Sequence, residues 1–365
     1  MRISVPKETK IHEYRVGLTP ASVFELTAAG HEVWIEKGAG TSIGFEDADY
    51  GRAGAEMVDR SRALQGDMVV KVKEPNLAEC ACLTSGQILF TYLHLAAAQA
   101  QAQQLMDRGV TAIAYETVED AQGRLPLLAP MSEVAGRMSI QVGATALQKA
   151  SGGRGTLLGG VPGVAPGKVV ILGGGIAGTN AAYMAVGLQA DVTILDKSVA
   201  RLRALSTEFS GRAKVLMASR ENITEAVRGA DLVVGAVLIP GASAPKLIDR
   251  QLLQEMLTGS VLVDISIDQG GTFESSRPTT HADPTYIDSG VVHYCVTNMP
   301  GAVARTSTQA LNNVTLPYVM AIADLGWRKA LAQDSGFAKG LNVCDGRVCH
   351  PAVAQALGYP IGEAA

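Results

Sequence analysis

One stretch of the chain restricts the possible folds more than any other. Residues 169–172 are four apolar residues, and Gly173-Gly174-Gly175-Ile176-Ala177-Gly178 follows them directly. In a G-x-G-x-x-G pattern, the first glycine permits a tight turn, the second lets another molecule approach the backbone, and the third lets a helix pack closely on a strand. The alanine-rich residues that follow suit that helix. The pattern predicts a strand, a glycine turn and a helix.

A turn of this kind is suited to binding phosphate, because free N–H groups and the positive end of the helix point at it. A second strand is expected at residues 192–195, and Asp196 follows it, 18 residues past Gly178. A carboxylate there accepts ribose hydroxyls and repels a 2′-phosphate, which favours NAD over NADP. The adjacent Lys197 weakens this preference, and a glycine-rich turn that binds nothing is the alternative.

Charge and hydropathy exclude several classes of protein. The chain has 31 basic and 35 acidic residues, a net charge of −4, which argues against nucleic acid as a partner. Residues 169–190 lack Asp, Glu, Lys and Arg and are long enough to cross a membrane, but their five glycines favour a strand and a helix instead. No signal peptide is expected, since no apolar core follows the first ten residues.

Cysteine usage favours a reducing compartment. Five cysteines are few for 365 residues and odd in number, so a disulfide framework is not expected. We therefore expect a cytoplasmic location. Cys344, Cys349 and His350 lie close together in the sequence, but no second cysteine pair accompanies them. No metal site is therefore expected.

Strand and helix patterns alternate on both sides of one linker-like segment. Earlier strands are expected at 2–6, 31–35, 68–73, 87–94 and 110–118, with helices at 20–30, 47–54 and 96–108. A long helix at 128–149 leads to a glycine-rich linker at 151–168. Later strands are expected at 169–172, 192–195, 214–217, 232–236, 261–265 and 292–296, with helices at 198–209, 247–256 and 308–324.

This alternation predicts an α/β protein of two doubly wound, Rossmann-type domains with mostly parallel sheets. Long helices join the domains, and an active-site cleft is expected between them. Residues 1–128 and 307–365 are expected to form the substrate domain, and residues 129–306 the NAD-binding domain. The final segment is too short for a third domain and is expected to return to the first.

Four polar residues lie at the ends of predicted strands or just beyond them, where ligands of open α/β sheets bind. Arg15 offers a planar fork for a carboxylate, Lys73 a point charge, and His94 a group that titrates near neutral pH. Asp268 can orient a water molecule. Lys71 competes with Lys73, because both would lie on the same face of a strand.

Several motifs together resemble the alanine dehydrogenase family. They are KETKIHEYRV at residues 7–16, Thr19-Pro20, VKEP at 72–75, FTYLHL at 90–95, APMSEVAGR at 129–137, GGVPG at 159–163 and DISIDQGG at 264–271. The resemblance runs in order from the N-terminus to beyond residue 320. The related transhydrogenase α subunit shares the architecture but not all of these motifs.

The resemblance implies an NAD-dependent oxidoreductase that reversibly deaminates L-alanine to pyruvate and ammonia by hydride transfer, followed by imine hydrolysis. It implies His94 and Asp268 as catalytic residues, and a homohexamer. The substrate-binding residues would be Arg15, Lys73, Tyr92, Leu128, Met131 and Asn298. The cofactor-binding residues would be Ser132, Gly173, Gly175, Ile176, Ala177, Gly178, Asp196, Arg201, Ser219, Val237, Leu238, Ile265, Asp268, Arg277, Val296, Asn298 and Met299.

Two of these assignments depart from the family pattern, and three rival functions stay open. Arg201 stands where members differ and, beside Lys197, would loosen NAD selectivity, while Ser219 lies in a variable stretch. Glu116 is a metal ligand only by analogy. The rivals are a transhydrogenase subunit, which needs a membrane partner, a dehydrogenase for a larger amino acid such as lysine or saccharopine, and an NAD-binding protein without activity. The last predicts loss of Arg15, Lys73, His94 or Asp268, and all four are present.

Overall fold

Strand pairing divides the chain into two sheets, each in its own compact unit. The computed structural model describes residues 1–237 and 244–362. Unit 1 comprises Met1–Met131 and Val303–Ala365, and unit 2 comprises Ser132–Ala302. The C-terminal segment therefore belongs to the same unit as the N-terminus. Within the described residues, no helix combines the length and apolar character of a membrane span.

The strands are short, as expected for buried parallel sheets. In chain order they are β1 (Arg2–Val5), β2 (Glu32–Glu36), β3 (Glu56–Val58), β4 (Met68–Val70), β5 (Ile88–Thr91), β6 (Thr111–Ala114), β7 (Lys168–Leu172), β8 (Asp191–Asp196), β9 (Lys214–Met217), β10 (Leu232–Gly235), β11 (Val261–Asp264), β12 (Thr285–Asp288), β13 (Val291–Tyr294), β14 (Leu341–Cys344) and β15 (Arg347–Val348).

The helices lie mainly between the strands. In chain order they are α1 (Pro20–Ala28), α2 (Asp47–Arg52), α3 (Arg60–Ala63), α4 (Leu77–Cys82), α5 (Gln99–Asp107), α6 (Ala129–Ala146), α7 (Ile176–Gly187), α8 (Val199–Phe209), α9 (Arg220–Arg228), α10 (Arg250–Gln254), α11 (Ala304–Leu325), α12 (Trp327–Gln333), α13 (Ser335–Ala338) and α14 (Pro351–Leu357). Short 3₁₀ turns include Leu95–Ala97, Tyr115–Thr117 and Ile265–Gln269.

Both sheets have the strand order of a doubly wound fold. Unit 1 has the order β15-β14-β6-β5-β4-β1-β2-β3, and unit 2 has the order β12-β13-β11-β10-β7-β8-β9. The strands pair in parallel except for β12, β14 and β15. The order reverses between β1 and β4 in unit 1 and between β7 and β10 in unit 2, and such a reversal is where ligands bind. The predicted fold class is confirmed.

Four predictions about local structure were wrong. The strand expected at 110–118 ends at Ala114 and is followed by the 3₁₀ turn Tyr115–Thr117. The strand expected at 68–73 ends at Val70, since the N–H groups of Val72 and Lys73 bond to the Glu8 carboxylate instead of a neighbouring strand. The strand expected at 87–94 ends at Thr91. The expected linker at 151–168 is an ordered loop of unit 2, held by hydrogen bonds such as that from the Arg154 N–H to the Gly259 carbonyl.

The C-terminal hairpin of β14 and β15 was missed. Asp345 and Gly346 form its turn with φ of 50° and 72°, and positive φ at both turn residues is the type I′ geometry that matches strand twist. The Asp-Gly pair was therefore a usable signal. β14 pairs with β6 and covers the edge of the parallel sheet.

A buried cluster of charges stabilises the end of β4. Lys71 is 1% exposed, and its Nζ lies 3.0 Å from Glu8 and 3.2 Å from Glu79. Arg60 also pairs with Glu79, at 2.8 Å. Burial lowers the pKa of Lys71, but the two carboxylates raise it by more, so that the net shift is upward and the lysine is charged. The cluster fixes the chain just before Lys73.

We predict that Lys71→Met destabilises unit 1 by about 3–5 kcal/mol, because it leaves the buried Glu8 carboxylate without a compensating charge, while Glu79 keeps only Arg60. Lys214→Met is the matched control, since Lys214 pairs with Asp191 at 2.8 Å on the surface, and its loss should cost at most about 1 kcal/mol. Urea unfolding of both variants measures the difference. Equal stability of the two variants would contradict the role assigned to the cluster.

Candidate active site

The loops that follow β1, β4 and β5 carry the polar residues of unit 1. Arg15 follows β1, Lys73 follows β4, and His94 follows β5. Parallel pairing of β1 with β4 and of β4 with β5 brings these loops to one edge of the sheet. This edge includes the reversal of strand order, so the fold places three of the predicted residues where a ligand is expected.

Arg15 is a buried cation held by a carboxylate that the sequence reasoning missed. The residue is 2% exposed, its Nε and Nη2 donate to the two Glu13 oxygens at 2.7 and 2.6 Å, and its Nη1 donates to the Met131 sulfur at 3.1 Å. Burial lowers the pKa of Arg15, while Glu13 raises it by more, so the net shift is upward. The bidentate pairing fixes the plane of the guanidinium.

Lys73 and Lys71 have different environments. Lys71 belongs to the buried charge cluster, whereas the Lys73 ammonium has no hydrogen-bond or ion-pair partner in the described part of the chain. Burial and the positive charge of Arg15 lower the pKa of Lys73. A lysine without a counter-ion beside a buried arginine is suited to binding an anion.

His94 has a strained backbone that the Glu116 carboxylate helps to hold. Its φ is 51°, in the left-handed region. Glu116 accepts the N–H of His94 at 2.6 Å and that of Leu93 at 3.1 Å, so this carboxylate fixes the turn. Sequence reasoning considered Glu116 only as a possible metal ligand and missed this role.

Glu74 is the acidic neighbour of the His94 ring. Its Oε2 lies 3.8 Å from His94 Nδ1, which is an ion-pair contact rather than a hydrogen bond, and its Oε1 pairs with Lys10. Burial lowers the pKa of His94, but Glu74 and Glu116 raise it by more, so the net shift is upward. Contacts with His94 and Lys10 outweigh burial and lower the pKa of Glu74 to about 2.

Apolar residues flank these charges within unit 1. Tyr92 is buried, donates its hydroxyl to the Leu127 carbonyl at 2.6 Å and packs against the Tyr115 ring. Met131 belongs to the same core cluster, and Leu128 packs against it. These three predicted residues therefore belong to, or pack against, one core cluster of the unit.

The glycine turn of unit 2 has the predicted geometry. Gly173 has a φ of 100°, and a side chain on Gly178 would meet the Gly173 carbonyl oxygen at 1.8 Å. A side chain on Gly175 would meet nothing within 4 Å, so this glycine leaves an open approach to the N-terminus of the 12-residue helix α7. Such a turn fits a bound phosphate.

Asp196 and Arg201 both contact the glycine turn. The Asp196 carboxylate accepts the Gly174 N–H at 2.8 Å and the Ser198 N–H at 2.7 Å. Arg201 donates to the Gly174 carbonyl and to Thr179. The carboxylate is thus fixed at the end of β8, where a ribose is expected, and Arg201 is engaged by the turn itself.

The other predicted residues of unit 2 are placed as follows. On the helices, Ser132 lies in α6, Ile176 and Ala177 begin α7, and Ser219 caps α9. In the loops, Ile265 and Asp268 lie in the turn Ile265–Gln269, and Val296, Asn298 and Met299 follow β13. The Arg277 guanidinium stacks on Tyr286. The Val237 carbonyl accepts the Ser266 hydroxyl at 2.7 Å, so the ends of β10 and β11 meet. Leu238 lies outside the described residues.

The turn that carries Asp268 is built around a buried acid. Asp264 accepts hydrogen bonds from the N–H groups of Ser266 and Thr272 and from the hydroxyl of Ser276. Asp268 lies in the same turn and is exposed, whereas the hydrogen bonds that hold the turn are made by Asp264. Its side chain can therefore reach a ligand without breaking the turn.

Two doubly wound units, one with a glycine turn before a helix and an acid at the end of the next strand, define the fold class of nucleotide-binding oxidoreductases. Residues 4–135 match the N-terminal domain model of the family described as alanine dehydrogenase/PNT, and residues 139–351 match its C-terminal domain model. The chain belongs to the alanine dehydrogenase/PNT family.

Relatives named alanine dehydrogenase match the whole chain. The protein of Halomonas elongata is 58% identical over 100% of this chain and 99% of its own length, and that of Mycobacterium tuberculosis is 52% identical with the same coverage. A solved structure titled L-alanine dehydrogenase is 56% identical, has a TM-score of 0.96 and covers 98% of this chain and 99% of its own. A transhydrogenase from Sinorhizobium meliloti shares the fold, with a TM-score of 0.82 at 23% identity, over 96% of this chain and 100% of its own.

We predict that Glu74→Gln lowers the pKa of His94, because the substitution removes a negative charge that stabilises the protonated ring. An NMR titration of the ring protons measures the pKa, with His94→Asn identifying the His94 signal. Glu32→Gln is the control, since Glu32 is a paired carboxylate elsewhere on unit 1. A His94 midpoint that is the same in the wild type and in Glu74→Gln would rule out Glu74 as the source of the shift.

Proposed function

We propose that the chain catalyses the NAD-dependent, reversible oxidative deamination of L-alanine to pyruvate and ammonia. One observation carries the proposal: a buried arginine, a lysine without a counter-ion and a histidine of raised pKa share one sheet edge of unit 1. These groups suit a substrate with a carboxylate and a proton to exchange. The family membership supports the same reaction.

The residues of unit 2 fit NAD. Gly175 leaves the start of α7 open for the pyrophosphate, and Asp196 is fixed where it can accept ribose hydroxyls. We assign the remaining cofactor contacts to the set predicted from the sequence. Bound at these residues, NAD would supply the acceptor for the hydride that leaves Cα of alanine.

Arg15 and Lys73 are assigned to the substrate carboxylate. Because Glu13 accepts hydrogen bonds from Nε and Nη2 of Arg15, we assign the substrate carboxylate to the Nη1 side, where Nη1 also contacts the Met131 sulfur. Arg15 and Lys73 repel each other, and an anion relieves this repulsion. Tyr92, Leu128 and Met131 are assigned to the methyl group, and Asn298 to substrate and cofactor.

His94 and Asp268 are assigned to proton transfer. After hydride removal the substrate is an iminium ion, and hydrolysis needs a base to take a proton from the attacking water. His94 in its neutral form can accept this proton and return it to the leaving ammonia. Asp268 would orient the water. The homohexamer and the cytoplasmic location stay predictions.

The reaction is tested by following NADH at 340 nm with purified protein. Oxidation of NADH that requires both pyruvate and ammonium would support the proposal. Oxidation with pyruvate alone would indicate a keto-acid reductase, and activity only with a larger oxo acid would indicate another amino-acid dehydrogenase. A protein that binds NADH but turns over none of these substrates would contradict the proposal.

We predict that His94→Ala lowers kcat at least about 10²-fold while NADH binding is retained, because the substitution removes the general acid–base. Steady-state kinetics and NADH fluorescence titration measure the two quantities. His12→Ala is the matched control, since His12 is another left-handed histidine of unit 1 and should leave kcat unchanged. Near-normal turnover of His94→Ala would exclude the assigned role.

We predict that Asp196→Ala weakens NAD binding much more than NADP binding, because only the unphosphorylated ribose gains from the carboxylate. Dissociation constants for both cofactors measure the ratio. Asp191→Ala, at the other end of β8, is the control and should leave the ratio unchanged. Equal losses for NAD and NADP in Asp196→Ala would contradict the ribose contact.

A further inference from the structure

Two cysteines that the proposed reaction does not use lie side by side in the C-terminal hairpin. In the ladder of β14 and β15, Cys344 pairs with Arg347, and the Cys349 N–H bonds to the Asn342 carbonyl. Cys344 and Cys349 are therefore diagonal neighbours, whose side chains lie on the same face of the hairpin. Both belong to or pack against the same core cluster of unit 1.

The two sulfur atoms are already close. Cys344 Sγ and Cys349 Sγ are 2.8 Å apart, and a disulfide bond needs about 2.05 Å. Bond formation therefore requires the sulfurs to approach by less than one ångström, within a hairpin whose backbone is fixed by its own hydrogen bonds. No other pair of cysteines among residues 1–237 and 244–362 has a sulfur–sulfur contact.

The two thiols differ in their access to solvent. Cys349 is half-buried, whereas Cys344 is buried. Burial and the contact with Cys349 raise the pKa of Cys344 to about 12, so Cys344 is the poorer first nucleophile. This inequality fits a pair in which the accessible thiol reacts first and the buried thiol completes the bond.

We propose that Cys344 and Cys349 form a reversible intrachain disulfide when the protein meets a small-molecule disulfide. The Cys349 thiolate attacks one sulfur of that molecule, whose S–S bond breaks and releases one thiol. The Cys344 thiolate then attacks the Cys349 sulfur and releases the second thiol. Two protein thiols are oxidised, one small disulfide is reduced to two thiols, and the two cysteine protons end on the released thiols.

The site is connected to the loop that carries His94. His350 caps α14 directly after Cys349, and α14 packs against the turn Leu95–Ala97, which begins directly after His94. Val353 and Ala354 of α14 share a core cluster with Leu95. The disulfide would thus fasten the start of α14 to β14, and α14 itself packs against the turn that follows His94.

The experiment uses oxidised glutathione on the full chain, followed by alkylation of the remaining thiols and digestion with trypsin. Trypsin cuts after Lys339 and Arg347, so each cysteine of the pair lies on its own peptide, 340–347 and 348–365. We expect the two peptides to be joined, with the alkylatable thiols of both Cys344 and Cys349 lost. Dithiothreitol should separate the peptides and restore both thiols.

Variants distinguish a disulfide from simple modification of an exposed thiol. Cys344→Ala should stop at one glutathione adduct on 348–365, and Cys349→Ser should give neither adduct nor linkage at this site. Cys82→Ser removes an exposed, unpaired cysteine and should leave the linkage intact. If Cys344→Ala does not fold, the wild type and Cys349→Ser alone decide. A wild-type protein that carries glutathione on Cys349 without joined peptides, or no modification of either peptide, would overturn the proposal.

Discussion

The parallel pairing of β1, β4 and β5 is the constraint on which the candidate site depends. Parallel strands end at the same edge of a sheet, so residues far apart in sequence are brought together without any contact of their own. Beyond the end of each strand, the backbone N–H groups must find other hydrogen-bond acceptors. Glu8 accepts the N–H groups of Val72 and Lys73 after β4, and Glu116 accepts those of Leu93 and His94 after β5. Carboxylates thus bond the backbone N–H groups beyond the last strand-to-strand hydrogen bonds.

Those carboxylates also set the charge of the site. The buried Lys71 pairs with Glu8 and Glu79, and the buried Arg15 pairs with Glu13. These acidic partners keep both cations charged. Lys73 has no such partner in the described chain, and its pKa falls. This difference in pairing distinguishes Lys71, which stabilises the fold, from Lys73, which is suited to a ligand, although the two are only two positions apart in the sequence.

The sequence was sufficient for the features that depend on local pattern. The glycine turn, its following acid and the alternation of strands and helices were predicted correctly, because each has a periodicity or a spacing of its own. The ends of β4 and β5 were not, since Val72 and Lys73 look like strand residues until Glu8 is known to bind their N–H groups. Glu13, Glu74 and Glu116 were missed as partners because a buried carboxylate has no signature in a single sequence. The proximity of Cys349 to Cys344 could not be predicted without the hairpin that brings them together. The Asp345-Gly346 pair could have indicated that hairpin.

The division of unit 1 into two chain segments affects how the protein is made. Unit 2 is continuous and is complete once the ribosome has passed Ala302, whereas unit 1 still lacks α11 and the hairpin of β14 and β15. Leu311, Val319 and Phe337 of its core arrive only with this last segment. Until then β6 is an open edge strand, which other chains can pair with. The newly made N-terminal segment therefore keeps part of its apolar core and one strand edge uncovered until the last segment has been synthesised.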